Sequence, residues 1–366
     1  MKKTAYACAI ACLGSLAAHG AMAQSSVSIY GVIDSGVVYT TNANAAGNSV
    51  VKVPGLTGSL PSRLGFRGVE DLGGGLQAVF TLESGLNVDT GTMGQGNRLF
   101  GRQASVGLKG AYGTLTLGRQ INMTFLSSLK SDVLGPNLFS MSSIDPYIPN
   151  ARSDNAIGYL GNFSDFTVGA TYSFGRDASA AGGPAATGCG GEVAGNSKAC
   201  RQVTGLLGYD NKRLGLTATY DIMYGNTGAA AGLATSESSD RRTTLNGYAM
   251  AGAWRIGTGV MARKKVAATR ANDLESNLYY LGASYPLMPM LTLDAQVARH
   301  DVKNSGNDST LTAVRLTYFL SKRTAVYSSL GRMKNSGLAA ISLDAGGTVG
   351  QGLSQSGVSA GLRHTF

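Results

Sequence analysis

The side chains able to do chemistry are few and widely spaced. Beyond residue 23 the chain holds two histidines, His300 and His364, and two cysteines, Cys189 and Cys200. A hydrolase needs a nucleophile beside a base, or two carboxylates sharing a cleft. His300 is followed by Asp301, and neighbours on an extended chain point to opposite faces. No nucleophile stands at a useful spacing, so bond-making chemistry is not expected. No phosphate-binding loop precedes a helix, so no cofactor is expected either. Lysines and arginines are scattered, without the basic run or motif that would point to nucleic acid. The two cysteines lie close together, and in an exported chain such a pair favours a loop disulfide. Closing so short a loop contributes roughly 3 kcal/mol in the chain-entropy treatment. Two free thiols are the alternative; no His or third Cys lies near enough to suggest a metal.

Export is read from the start of the chain. Lys2 and Lys3 precede an apolar run from Ala5 to Ala18, and Ala21-Met22-Ala23 offers small residues where a signal peptidase cuts. Residues 1–23 are therefore expected to be a signal peptide and 24–366 a single working domain. The run is shorter than the ~20 residues a membrane helix needs. Removing Lys2 and Lys3 from the 31 basic residues leaves 29 against 21 acidic ones, a formal +8. Glycine is abundant at 52 residues and proline scarce at 8, while only 14% of the chain is charged. No later apolar run reaches the length of a membrane helix.

What would position the few charged groups is a series of strands. In 166–174 the apolar residues Phe166, Val168, Ala170, Tyr172 and Phe174 alternate with Thr167, Gly169, Thr171 and Ser173. Leu214, Leu216, Ala218 and Tyr220 alternate with Gly215, Thr217 and Thr219, and the pattern returns in 358–363. Period-two alternation gives each segment one oily and one polar face. A soluble sandwich would share that pattern. Three features favour a membrane barrel: the polar face is rich in Gly, Ser and Thr, aromatics such as Tyr279 and Tyr285 bound strands, and short turns alternate with long polar loops. The short turns fall at 71–75, 110–113, 162–165, 210–213, 287–290 and 321–323. The segmentation predicts about sixteen strands: 26–39, 62–70, 76–86, 98–109, 114–120, 151–161, 166–175, 201–210, 214–225, 241–256, 258–269, 276–286, 291–303, 309–320, 324–334 and 355–366. The fold class is thus an all-β, 16-stranded antiparallel transmembrane barrel. Its first and last strands must pair, since lipid offers an open edge no partner.

The ordered motifs resemble one family, the Gram-negative general porins of the β-proteobacterial type. They run from Ser26-Val27-Ser28-Ile29-Tyr30-Gly31-Val32-Ile33-Asp34 through Ser62-Arg63-Leu64-Gly65-Phe66-Arg67-Gly68-Val69-Glu70-Asp71-Leu72-Gly73-Gly74-Gly75-Leu76. Gly107-Leu108-Lys109-Gly110 and Gly113-Thr114-Leu115-Thr116-Leu117-Gly118-Arg119-Gln120 follow, and Gly361-Leu362-Arg363-His364-Thr365-Phe366 ends the chain. The resemblance implies a homotrimer in outer-membrane lipid and lipopolysaccharide, with one water-filled pore per subunit for small hydrophilic solutes and ions. It also implies that the third long loop, here 121–150, folds inward to narrow the channel.

A passive pore works by size and field, because low-dielectric walls focus the potential of charges at a narrow point. In the resembled family, wall arginines face carboxylates on the inward loop. The matching wall positions are Arg63, Arg102 and Arg152, and the loop's acids are Asp132 and Asp145. Alternation backwards from Leu108 puts Arg102 on the apolar face, so a bulge or a trimer contact is expected to turn it inward. Snorkelling at the rim is the plainer role for each arginine. Three arginines against two acids on a basic chain predict a modest anion preference. Asp34, Arg67, Glu83, Arg263, Lys265 and Arg315 fall on the polar face and are expected to line or solvate the wall. Phe366 corresponds to the terminal aromatic read by the barrel-assembly machinery, and would also serve as a girdle aromatic. A substrate-specific channel would need an aromatic track, and Tyr112, Tyr147, Tyr159, Tyr248 and Tyr280 cannot be ordered into one from sequence.

Overall fold

The computed structural model describes residues 26–55, 57–177 and 187–366; the expected signal peptide lies outside the described residues. Sixteen long strands form one closed antiparallel sheet. In chain order the first are β1 (Ser26–Thr40), β3 (Arg63–Gly73), β4 (Leu76–Asn87), β6 (Gln103–Gly110), β7 (Gly113–Ile121) and β8 (Arg152–Phe163). Next come β9 (Phe166–Ser173), β10 (Gln202–Asp210), β11 (Leu214–Tyr224), β12 (Ser239–Ala251) and β13 (Trp254–Val266). The last are β14 (Leu274–Met288), β15 (Leu291–Val302), β16 (Ser309–Phe319), β17 (Thr324–Asn335) and β18 (Gln355–Thr365). Two short strands, β2 (Val50–Lys52) and β5 (Thr92–Met93), extend the wall at the long-loop end.

The ring closes between β1 and β18, from Val32 opposite Thr365 to Thr40 opposite Gly357. No long strand is thereby left as a free edge, which a lipid-embedded sheet requires. The face away from the lumen is oily: Leu115, Leu117, Leu207, Leu245, Leu281, Leu330 and Leu362 are all exposed. Aromatics mark both ends of that band. Trp254 and Tyr285 stack at 4.5 Å at the short-turn end, and Tyr172 meets Phe174 edge-on at 5.2 Å near the long loops.

Several boundaries differ from the alternation reading, and two have a local cause. The β12–β13 turn lies at Gly252-Ala253, not at Gly257, because Gly252 supplies the left-handed backbone (φ 60°) that a two-residue hairpin demands. The strand expected from residue 98 begins only at Gln103, since residues 98–102 bend away from the ladder.

The apolar core sits inside the barrel. Val133, Leu134, Leu138, Phe139, Met141, Ile144 and Ile148 of the loop after β7 pack on Met261 of β13, Leu278 of β14, Leu311 of β16 and Met333 of β17. These wall residues occupy the inward parity, where a wet pore would carry polar groups. Burying each contributes about 1.5–3 kcal/mol, enough to hold the loop against that half of the wall. Open lumen is then confined to the opposite side.

Candidate pore constriction

The loop from Asn122 to Ala151 is tied down at three points. At its start Asn122 caps the helix Met123–Ser128, accepting from the backbone N–H of Thr124 and Phe125, and Thr124 Oγ1 donates to Asp221 Oδ2 of β11 at 2.6 Å. Midway, Asp132 Oδ1 accepts from Gln296 Nε2 of β15 at 2.8 Å and from the Gly135 N–H at 3.1 Å. Arg315 of β16 donates to the Leu134 carbonyl at 3.0 Å while paired with Asp294 at 2.8 and 3.0 Å. Near the end, Asp145 accepts from Arg242 Nε at 2.9 Å and Nη2 at 3.3 Å, with Arg263 at 4.0 Å. Tyr147 donates to Asp221, and its ring carries the guanidiniums of Arg176 and Arg242, 4.7 and 4.3 Å from the centroid.

The two loop acids thus meet wall groups behind the loop, not Arg63, Arg102 or Arg152. Burial drives the Asp132 carboxyl up to about 6, against the smaller downward pull of its hydrogen bonds and of Arg315. Burial pushes Asp145 the same way, but the guanidiniums of Arg242 and Arg263 outweigh it and hold the group well below the usual carboxylate range.

Across the lumen the wall is basic. Arg63 Nε stands 3.7 Å from Glu83 Oε2, and Arg102 Nε donates to Glu83 Oε1 at 2.5 Å. Tyr30 donates to the same carboxylate at 2.9 Å. Arg102 needs neither a bulge nor a subunit contact. It precedes β6, outside the alternation, and its backbone N–H donates to the Glu83 carbonyl at 3.0 Å. Arg152 is 2% exposed, and among the described residues no carboxylate pairs with it. Its Nη1 reaches Pro149 O at 3.3 Å and Asn150 Oδ1 at 3.4 Å, while Nε and Nη2 find no hydrogen-bond partner there. Arg119 is re-aimed by a bulge beside Gly118 (φ 108°), donates to Gly101 O at 2.7 Å and pairs with Asp154. Arg98 joins Asp154 at 3.5 Å and Asp177 at 2.6 Å. The arc therefore carries six guanidiniums (Arg63, Arg98, Arg102, Arg119, Arg152, Arg176) and three carboxylates (Glu83, Asp154, Asp177), a formal surplus of three. A cavity of about 670 Å³ is lined by Arg102, by Asp89 and the Lys52–Asp344 pair, and by Pro136, Asn137, Ser142, Pro146, Pro149 and Asn150 of the loop. The loop face turned to the arc is neutral.

A closed sixteen-stranded barrel with a lumenal loop and a charged arc is a channel's geometry, and the comparisons with known proteins give its family. Residues 7–338 match the profile described as Gram-negative porin. The chain belongs to the Gram-negative porin family. It is 33% identical to outer membrane porin protein 32 of Delftia acidovorans over the full length of both chains. It is 31% identical to an outer membrane porin protein of Bordetella pertussis, again over both whole chains. Among solved structures, the anion-selective porin from Comamonas acidovorans superposes with a TM-score of 0.76 at 27% identity, covering 94% of this chain and 100% of that one. The trimer form of OmpT from Vibrio cholerae gives 0.64 at 14% identity, covering 93% and 99%, and shows the shared fold.

In this outer-membrane porin the lesser candidates divide. Asp34 does not face water. It is fully buried, with Oδ2 accepting from Ser59 N–H, Ser59 Oγ and Leu60 N–H at 2.9, 2.6 and 2.8 Å, and Oδ1 from Tyr327 at 2.6 Å. It fastens residues 59–62 where β1 has no strand partner between β3 and β2. Arg263 chelates Asp240 at 2.7 and 3.0 Å, and Lys265 donates to Ala231 O at 3.1 Å. Arg67 remains exposed, 5.3 Å above the Tyr30 ring. Cys189 and Cys200 form the expected disulfide. Phe366 exchanges backbone hydrogen bonds of 3.1 and 3.2 Å with Gly31, extending the closing seam. The five tyrosines form no track: Tyr147 of the loop is buried against Asp221 of the wall, Tyr280 of β14 is buried against Ser131 of the loop, Tyr248 donates to Asp210, and Tyr159 donates to the carbonyl of Tyr112. Arg242, the partner of Asp145, was legible only as an inward-parity arginine two residues from Asp240. Arg98 and Arg176 lie in loops, where no periodicity marks them.

Proposed function

We propose that small hydrophilic solutes and ions diffuse passively through this porin with a modest preference for anions, and that Arg63, Arg102 and Arg152 line the constriction. One observation carries the reading: both acids of the lumenal loop are bound by the wall behind it, so the loop sets no carboxylate against the basic arc. Water-filled space between low-dielectric walls magnifies such an excess, so counter-ions concentrate there. The anion-selective Comamonas porin, alike over 94% of the chain, supports the sign. The pore needs no cofactor and performs no catalysis. Asp132 and Asp145 serve to anchor the loop, and Phe366 to guide assembly at the closing seam. The 1–23 leader is removed on export, and the mature chain forms a homotrimer in lipid and lipopolysaccharide, a state that the trimer form of OmpT supports. Reversal potentials of the purified protein in planar bilayers under a potassium chloride gradient test the selectivity; clear cation preference would overturn it.

A further inference from the structure

The two bridged cysteines hold the backbone of the segment that follows β9. Cys189 N–H donates to the Asp177 carbonyl at 2.8 Å, and Arg176 N–H donates to the Cys200 carbonyl at 3.3 Å. The bridged pair therefore grips residues 176 and 177 from both sides. Cys200 N–H in turn donates to Gly225 O at 3.0 Å, which fixes the grip to the barrel rim. From this seat Arg176, 2% exposed, lays its guanidinium on Tyr147 and donates from Nη2 to the Asn150 carbonyl at 3.4 Å. Asn150 Oδ1 is also the acceptor for Arg152 Nη1. The same seat holds Asp177 against Arg98 at 2.6 Å. A chain of contacts thus runs from the disulfide, through Arg176, to the loop tail Tyr147–Asn150 and to the guanidinium of Arg152.

We propose that Arg176, seated by the Cys189–Cys200 bridge, is a positioning residue for the pore. It sets where the loop tail, and with it Arg152, stands in the constriction. The physical ground is geometric. A planar guanidinium can stack on a ring and donate in its own plane at once, which an ammonium cannot do. The bridge fixes Cys189 and Cys200 at a Cα separation of 5.3 Å, and residues 176 and 177 are held through their backbone hydrogen bonds to that pair. The inference rests on reading Arg152 as part of the constriction, and it gives the disulfide a role in conduction besides stability.

The test uses perturbations that keep every charge. Arg176→Lys retains the positive charge but loses the stack and the in-plane donor. Cys189→Ser combined with Cys200→Ser removes the bridge alone. Dithiothreitol added to the folded wild-type channel passes two electrons and two protons to the S–S bond, giving two thiols and its own cyclic disulfide, so no refolding is involved. Single-channel conductance and reversal potential are read in planar bilayers, beside the heat-modifiable gel mobility that reports the folded barrel. The expected result is an intact barrel whose anion-to-cation permeability ratio shifts about two-fold, with noisier open current, in all three cases. Wild-type conductance, noise and reversal potential in all three would overturn the proposal. A shift in the two variants and under dithiothreitol, in a channel whose wild type prefers cations, would sink the anion reading and leave this one standing.

Discussion

The carboxylate of Asp145 is held by the guanidinium of Arg242 through two hydrogen bonds of 2.9 and 3.3 Å, and both groups are almost wholly buried. Residues 97 apart in the chain thereby join the loop to the wall behind it. Arg242→Met would strand a buried carboxylate beside Arg263 at 4.0 Å. Removing one partner of a buried pair costs about 3–5 kcal/mol. The variant should lose heat resistance by gel-mobility assay and give a larger, noisier single-channel current, because one tether of the loop's tail is gone.

The two loop acids should respond to pH in opposite senses. Asp145 has a depressed folded value, so its stabilisation is complete above the ordinary 3.8 and is lost only as pH falls below it. Asp132 is raised to about 6, so its favourable contribution is full below 3.8 and is lost as pH rises through about 6. Asn at 132 can still accept both hydrogen bonds on one oxygen. Asp132→Asn should therefore stabilise the barrel at pH 8 by on the order of 3 kcal/mol, read as a higher melting temperature, and leave the melting temperature unchanged at pH 3.5. Equal effects at both pH values would refute the shift.

Glu83 and Arg152 offer substitutions of opposite sign. Glu83 is shared by Arg63 and Arg102, so Glu83→Gln releases two guanidiniums and should strengthen anion preference. Arg152→Gln should weaken it. Each change is expected to be about two- to five-fold in permeability ratio, read from reversal potentials at low salt, where screening is least. If both moved the ratio the same way, the arc would not be the filter.

Gly31 sits under the Phe366 ring, and a Cβ there would run into that ring and lie 2.7 Å from the Arg63 carbonyl. Gly31→Ala should cost roughly 1–3 kcal/mol by forcing the seam apart. Deleting Phe366 removes the ring and its backbone pair together. If Phe366 served the seam only, Gly31→Ala and the deletion would both fold poorly from urea into detergent. A role in cellular assembly instead predicts that the deletion folds in detergent yet fails to reach the outer membrane.

Most of the wall was readable as period-two alternation, because the side-chain repeat of a strand is local and survives without knowledge of neighbours. That is why β7, β9, β11, β15 and β16 agree with expectation within a residue or two. Periodicity fails where one residue decides, as at Gly252, and where Arg102 stands just ahead of β6 instead of within it. It also fails where lumen-facing positions are apolar. Met261, Leu278, Leu311 and Met333 broke the polar side of the pattern in one half of the barrel, a signal that something greasy packs there.

By itself the chain's order of residues determined the barrel, its strand number, its family and its outer-membrane setting, since each follows from short-range periodicity or ordered motifs. Only the tertiary structure decided which charges meet. Side chains such as Asp145 and Arg242, or Arg176 and Tyr147, are brought together by ring closure and by a loop folded back on the inner wall. Coulomb and hydrogen-bond energies depend on those distances, not on spacing along the backbone.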